Sequence, residues 1–183
     1  MSDVIRELIV YACPRGSLAE QIHAFYAASR NRFGSNTAHT YPPHITLTGF
    51  FHDEPGSIRG YCAALAAAHT QMLREQPMTE IAITELRLRA EFHGLLISSC
   101  WLEELTAIFA TRAVSPTRRD AIRCKRNLHL SLAYGFPADQ GPGLAVLARE
   151  LVDPAAPVQW VLGLYERRND EWITHCEWDT ARA

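Results

Sequence analysis

No stretch of this chain approaches the 18 or so consecutive apolar residues of a membrane span, so a membrane-embedded protein is not expected. The start, MSDVIRELIVYACPRG, carries acids at Asp3 and Glu7 and only the short apolar run LIVYAC. It lacks the basic and hydrophobic regions of a signal peptide. A broad excess of positive charge is also missing. The formal charge is −2, which argues against non-specific coating of nucleic acid but leaves room for a small anion in one local basic pocket. The five cysteines, Cys13, Cys62, Cys100, Cys124 and Cys176, are odd in number and scattered, with no C-x-x-C pair. That spacing disfavours a zinc site and predicts buried or incidental thiols in a reducing compartment. A soluble, cytoplasmic protein is the expectation.

What is present is an ordinary globular composition, 48% hydrophobic and 21% charged over 183 residues. A chain of this length buries about 70% of its unfolded surface and needs no disulfide or structural metal to fold. IRELIVYAC at 5–13 reads as a strand stopped by Pro14 and Gly16. Ser17 with Glu20 then opens an amphipathic helix as a capping box. Pro42 and Pro43 force an extended approach to HITLTGFF. A long Ala-rich helix follows over 57–76, ended by Pro77. A hairpin spans 80–99 with its break at His93-Gly94, and a third helix covers WLEELTAIFATRA. The strand LHLSLAYGF, a short helix LAVLARELV and a terminal hairpin turning at Asn169-Asp170 complete the order. The four tryptophans, Trp101, Trp160, Trp172 and Trp178, are expected in the core. No linker is long enough to separate independent domains, so residues 1–183 read as one domain. The class is α+β, with mostly antiparallel sheets in two lobes and helices outside.

Each half contains a strand opening on His-apolar-hydroxyl-Leu: HITL at 44–47 and HLSL at 129–132. In a strand, alternate residues share a face, so His44 and Thr46 project together, about 6.5–7 Å apart at Cβ, while Ile45 and Leu47 point into the core. His129 and Ser131 repeat the arrangement. An imidazole titrates near neutral pH and a hydroxyl donates to a phosphoryl oxygen, so two such pairs facing one cleft suit metal-free acid–base chemistry on phosphorus. A lone His on a strand is more often structural; the repetition of the pair in the second half is what points to a site. His39, His44 and His52 do not have metal-ligand spacing, and no metal or cofactor is expected. The segment 112–126 holds Arg112, Arg118, Arg119, Arg123, Lys125 and Arg126 against the single acid Asp120, a net charge of +5. It reads either as a solvated loop or as a rim that attracts a polyanion.

The paired motifs resemble the signature of the 2H phosphoesterase superfamily. YACP at 11–14, the proline before His44, HLSLAYG and the terminal W-x-L-x-x-Y hairpin resemble its cyclic phosphodiesterase branch. Leu128 departs from the proline that some members have there. The resemblance implies a bilobal fold of two pseudo-symmetric antiparallel-sheet lobes around a central cleft. It implies hydrolysis of a nucleoside 2′,3′-cyclic phosphate or ADP-ribose 1′′,2′′-cyclic phosphate to a monoester, with a 2′-phosphate product. His44 and His129 would be catalytic, Thr46 and Ser131 phosphate-binding, and Tyr11 and Tyr134 substrate-binding, Tyr11 by stacking on a base. The family pattern would make His129 the base and His44 the acid, which the residues by themselves leave open. For Tyr134, strand parity opposes the implied role: five residues from His129, a regular strand puts it on the far face. The expected partner is a small nucleotide or an RNA-terminal cyclic phosphate bound by a monomer, with no obligatory protein partner and no membrane. A nucleotide-binding or RNA-binding module without turnover, and an RNA 2′-5′ ligase or phosphodiesterase, are the alternatives.

Overall fold

Along β1 (Arg6–Arg15), Leu8, Val10 and Ala12 join the main core while Ile9 and Tyr11 join a second cluster on the opposite face, as period-two alternation requires. The computed structural model describes residues 4–75, 80–169 and 171–180. After β1 come α1 (Ser17–Phe33), β2 (Ile45–Thr46), β3 (Phe51–Asp53), α2 (Ile58–Glu75), β4 (Ala82–Arg89) and β5 (Phe92–Ser98). Then follow α3 (Cys100–Arg112), β6 (His129–Tyr134), α4 (Gly141–Leu151), β7 (Gln159–Arg168) and β8 (Glu171–Asp179). The strands form one eight-stranded antiparallel sheet in the order β4-β5-β6-β2-β1-β7-β8, with β3 also on β1. Its two halves meet at β2 and β6, through the single register pair Ile45 and Leu130.

All four helices contribute to the core on one face of the sheet: Leu18, Ile22 and Phe25 from α1, Leu65 and Met72 from α2, Trp101 and Phe109 from α3, Leu144 and Leu147 from α4. They pack as pairs, α1 with α4 and α2 with α3. Ile45, Leu47, Leu130 and Leu132 meet them from the centre of the sheet, each 0% exposed. Truncating any of these to Ala costs about 2–5 kcal/mol in lost transfer energy and cavity formation. Among the described residues the opposite face carries no α-helix at its centre, and the short 3-10 turn Thr37–Thr40 packs against β6. No helix among the described residues is long and apolar enough to cross a membrane.

Several local expectations change. Pro14 does not end β1: beyond Ala12 only β7 flanks the strand, so the missing N–H leaves no ladder bond unmade. Gly16, at φ 81°, occupies the N-cap of α1 with no side-chain hydrogen bond, so the capping box read from Ser17 and Glu20 does not form. The turn between β4 and β5 lies at Ala90-Glu91, and His93-Gly94 sits inside β5. Residues 76–79 and Asp170, including the helix-ending Pro77 and half of the final turn, lie outside the described residues. Trp101 and Trp160 are core residues, but Trp172 sits on the helix-free face against Tyr11, Tyr41 and Phe50. Cys62 on α2 and Cys176 on β8 form a disulfide with Cα atoms 6.1 Å apart, which corrects the expectation of five incidental thiols. A separation of 114 residues gave that pairing no local signal.

Candidate active site

His44 lies one residue before β2, at the end of the extended Pro42-Pro43 approach, and its Nδ1 donates to the Pro42 carbonyl at 2.7 Å. A carbonyl can only accept, so the proton is on Nδ1 and Nε2 carries the lone pair. Thr46 Oγ1 donates to that Nε2 at 3.0 Å. His129 repeats the anchor, its Nδ1 donating to the Asn127 carbonyl at 3.0 Å. In each motif the carbonyl two residues upstream fixes the tautomer and aims Nε2 away from the backbone.

The register completes the site. Because Ile45 faces Leu130 in an antiparallel pair, Thr46 falls opposite His129 and Ser131 opposite His44. The two imidazoles therefore occupy one diagonal, at the separation of about 7–8 Å usual for diagonal neighbours, and the two hydroxyls occupy the other. All four side chains line one cavity of about 620 Å³ on the helix-free face, a volume suited to a nucleotide-sized ligand.

The surroundings of the two histidines differ. Tyr11, 1% exposed, stacks on the His44 ring with centroids 3.8 Å apart, and is itself packed by Tyr165 and Trp172. One face of the Tyr11 ring is taken by His44, so Tyr11 supports the histidine from within the cavity wall. Burial pushes the pKa of His44 down, the Pro42 hydrogen bond opposes that and the nearby His129 adds to it, for a net value of about 4. His129 instead meets the edge of one ring, Phe92, at 5.6 Å and 85°. No hydrogen bond joins Ser131 Oγ to His129 among the described residues.

Tyr134 lines the cavity despite its parity. The ladder between β5 and β6 steps from Ala133 opposite His93 to Ser131 opposite Gly94, so β6 carries one extra residue there. Leu132 and Ala133 both point into the core at 0% exposure, and this bulge returns Tyr134 to the cleft face. Tyr26 from α1 donates its hydroxyl to the Ser131 carbonyl at 2.9 Å and fixes β6 from above.

The basic segment is not a free loop. Thr117 Oγ1 and Tyr61 OH each donate to the buried Asp53 carboxylate at 2.5 Å, and Asp120 accepts from the His52 backbone at 2.9 Å and its ring at 2.5 Å. Burial would raise the Asp53 pKa, but hydrogen bonds from Thr117, Tyr61, Ser115 and the Glu54 amide outweigh it and hold the value at about 2. Further along, Gly49 N–H donates to the Arg123 carbonyl and Lys125 N–H to the Leu47 carbonyl, each at 2.8 Å, around a bridge between Thr48 and Cys124. The segment is thus a strap laid antiparallel along 47–52. Strand parity turns Cys124 toward α3, where its thiol meets the Thr106 carbonyl, and Arg123 and Lys125 into the cavity wall.

No protein-family model matches the chain. The solved structure of E. coli LigT complexed with ATP matches it with a TM-score of 0.53, covering 98% of this chain and 100% of that one at 14% identity, which is a likeness of fold. The present chain sets both of its own H-x-[ST]-L strands at the centre of that fold. Among curated proteins, ubiquitin-associated and SH3 domain-containing protein B of Mus musculus is 32% identical over 166 residues, 88% of this chain. The ecdysteroid-phosphate phosphatase of Drosophila melanogaster is 32% identical over 197 residues, again 88% of this chain. The chain spans about a quarter of the length of the curated relatives it matches, 25% and 26% respectively.

His44, His129, Thr46, Ser131, Tyr11 and Tyr134 all line this cavity. Arg123 and Lys125, from the segment read as a solvated loop or a rim, line it too, as do Tyr41, Phe50, Glu91 and Phe92, for which the sequence offered no reading. The alternation Arg-Cys-Lys at 123–125 was the available signal for the two cations. His39 and His52 go elsewhere: His39 bonds Ser29 and Asn36, and His52 bridges toward Asp120 and Glu7.

Proposed function

We propose that the chain is a metal-independent phosphodiesterase that opens a cyclic phosphate, a nucleoside 2′,3′-cyclic phosphate or an ADP-ribose 1′′,2′′-cyclic phosphate, to a 2′-phosphate-type monoester. The observation that carries this reading is the diagonal pair of imidazoles, both with Nδ1 tied to a carbonyl, flanked by two hydroxyls in one nucleotide-sized cavity. Two histidines can hold both proton transfers that a diester hydrolysis needs, and a pure binding module has no use for that pairing.

When phosphate binds, Thr46 turns its hydroxyl from His44 Nε2 to one non-bridging oxygen, freeing that nitrogen, and Ser131 donates to the other, stabilising charge that builds on them as the fifth oxygen approaches. Depressed to a pKa of about 4, His44 is neutral at pH 7 and its Nε2 is an acceptor. It takes a proton from water as the new O–P bond forms. His129, protonated at Nε2, gives its proton to the leaving 3′-oxygen as that P–O bond breaks. This reverses the assignment implied by the family pattern, because a buried neutral imidazole is suited to accept rather than to give. Solvent exchange resets the pair. The cations of the strap favour a second reading, 2′-5′ phosphodiester chemistry on an RNA end, which the same four residues would serve.

Phosphorus NMR of the protein with a 2′,3′-cyclic nucleotide and a chelator, beside the His44→Ala/His129→Ala variant, tests the proposal. A 2′-monoester signal that grows only with the wild type is expected. Turnover that stops with chelator, or that persists in the double variant, rejects the mechanism.

A further inference from the structure

The cavity is polarised along its length. Continuing the antiparallel order from Ile45 and Leu130, the composite strand runs Arg123, Lys125, His129, Ser131, Tyr134, opposite a strand running from Phe50 back to His44. Lys125 bonds Leu47 and Arg123 bonds Gly49, one and three residues past Thr46, so their backbones stand roughly 3–10 Å further along the cleft than that hydroxyl. At the other end is Glu91, next to Phe92, which pairs with Tyr134. Both cations are exposed, and Lys125 makes no ion pair among the described residues. Arg123 interacts electrostatically with Asp120, whose carboxylate is already bonded to His52. Arg123 and Lys125, fixed through their backbones, thus place two exposed cations together at one end of the cavity wall.

We propose that this end of the cleft binds a phosphate on the 5′ side of the same ribose that carries the reacting phosphate, so that the substrate is a nucleotide with at least two phosphates rather than a nucleoside cyclic monophosphate. The proposal rests on the phosphodiester reading of His44 and His129 for its account of the first phosphate. A 5′-phosphate of this kind occurs in a small nucleotide and at the last residue of an RNA chain. Lys125, one residue from Thr46, meets it first; Arg123, farther out and forked, grips a second pair of oxygens.

Binding without turnover tests this. Isothermal titration is run with adenosine 2′-monophosphate, adenosine 2′,5′-bisphosphate and a dinucleotide ending in a 2′-phosphate, at low and high salt. The bisphosphate is expected to bind about tenfold more tightly than the monophosphate, the scale of one charge-assisted hydrogen bond, with the gap narrowing as salt rises. In Arg123→Gln/Lys125→Gln the ratio should fall to about one, while Arg149→Gln, on the outer helix α4, keeps it. Equal affinity for the two ligands in the wild type overturns the proposal, as does a preference that survives the double substitution or is lost equally in Arg149→Gln. A dinucleotide tighter than the bisphosphate assigns the site to an RNA end, and the converse to a small nucleotide; either supports it. Turnover of the cyclic phosphate, followed in the same samples, reports on the reaction separately: a binding preference without turnover keeps the anion site and removes the hydrolytic reading.

Discussion

The two halves of the sheet present the same tripeptide pattern to the cleft but support it differently. Around His44, Gly163 on β7 has no side chain, and the Tyr165 ring leans across it so closely that an added Cβ would lie 2.7 Å from the ring. Tyr165 then packs on Tyr11, and Tyr11 stacks on His44. Around His129, Gly94 on β5 plays the same part for Phe92, with an added Cβ 2.5 Å from the ring, but Phe92 reaches the histidine directly and only by its edge. One half interposes an extra aromatic layer and the other does not. Desolvation follows the extra layer: His44 is held near a pKa of 4, and its neutral form is the form the fold selects. Matching motifs thus sit in unlike surroundings through residues as far as two strands away.

The largest effect that would break this comparison is loss of either imidazole. His44→Ala and His129→Ala should each lower kcat by about two to four orders of magnitude, and the double variant should fall little further, because each proton transfer is needed for the other. Activity within tenfold of wild type in either single variant would show that the diagonal pair is not the acid and base. Thr46→Ala and Ser131→Ala come next, at about 1.5–3 kcal/mol of transition-state binding each, read from kcat/KM.

The asymmetry itself is sharpened by pH. A base must be unprotonated, so kcat/KM of the wild type should hold as pH falls and drop only near pH 4, where His44 takes up its proton. Tyr11→Leu opens His44 to water and moves that limb up toward the ordinary histidine range, whereas Phe92→Leu leaves it in place. A wild-type limb near pH 6.5 would remove His44 from the role of base. The smallest effects are on stability. Gly94→Ala and Gly163→Ala each force a ring aside in a packed layer and should cost about 1–3 kcal/mol in urea denaturation. A Gly163→Ala protein that keeps the pH 4 limb would show that the ring over that glycine does not govern His44.

The site was legible where it rests on period two. His44 with Thr46, and His129 with Ser131, share a face because alternate residues in a strand must, and the prolines before His44 announce an extended chain. Three features were not legible, each for a physical reason. The strap is held by Asp53, Asp120 and backbone amides from a segment some 70 residues away, so local composition showed its charge but not its seat. Tyr134 depends on a bulge that exists only in the pairing of β5 with β6. Tyr11 offered an aromatic at the right position, but whether its face meets ligand or histidine is decided by how β1 lies beside β2.

Antiparallel pairing of the two motifs gives the four central side chains an approximate half-turn symmetry: each histidine faces the other motif's hydroxyl. A cyclic phosphate rotated by that half turn would meet the same four groups, with its 2′ and 3′ oxygens exchanged. Which oxygen is set free is therefore not written in the motifs. It is written in what breaks the symmetry, the cations Arg123 and Lys125 at one mouth and Glu91 at the other. On the proposed reaction, regiochemistry would belong to the periphery of the cavity, and exchanging the charges at its two mouths would be the route by which such a chain came to release the other regioisomer.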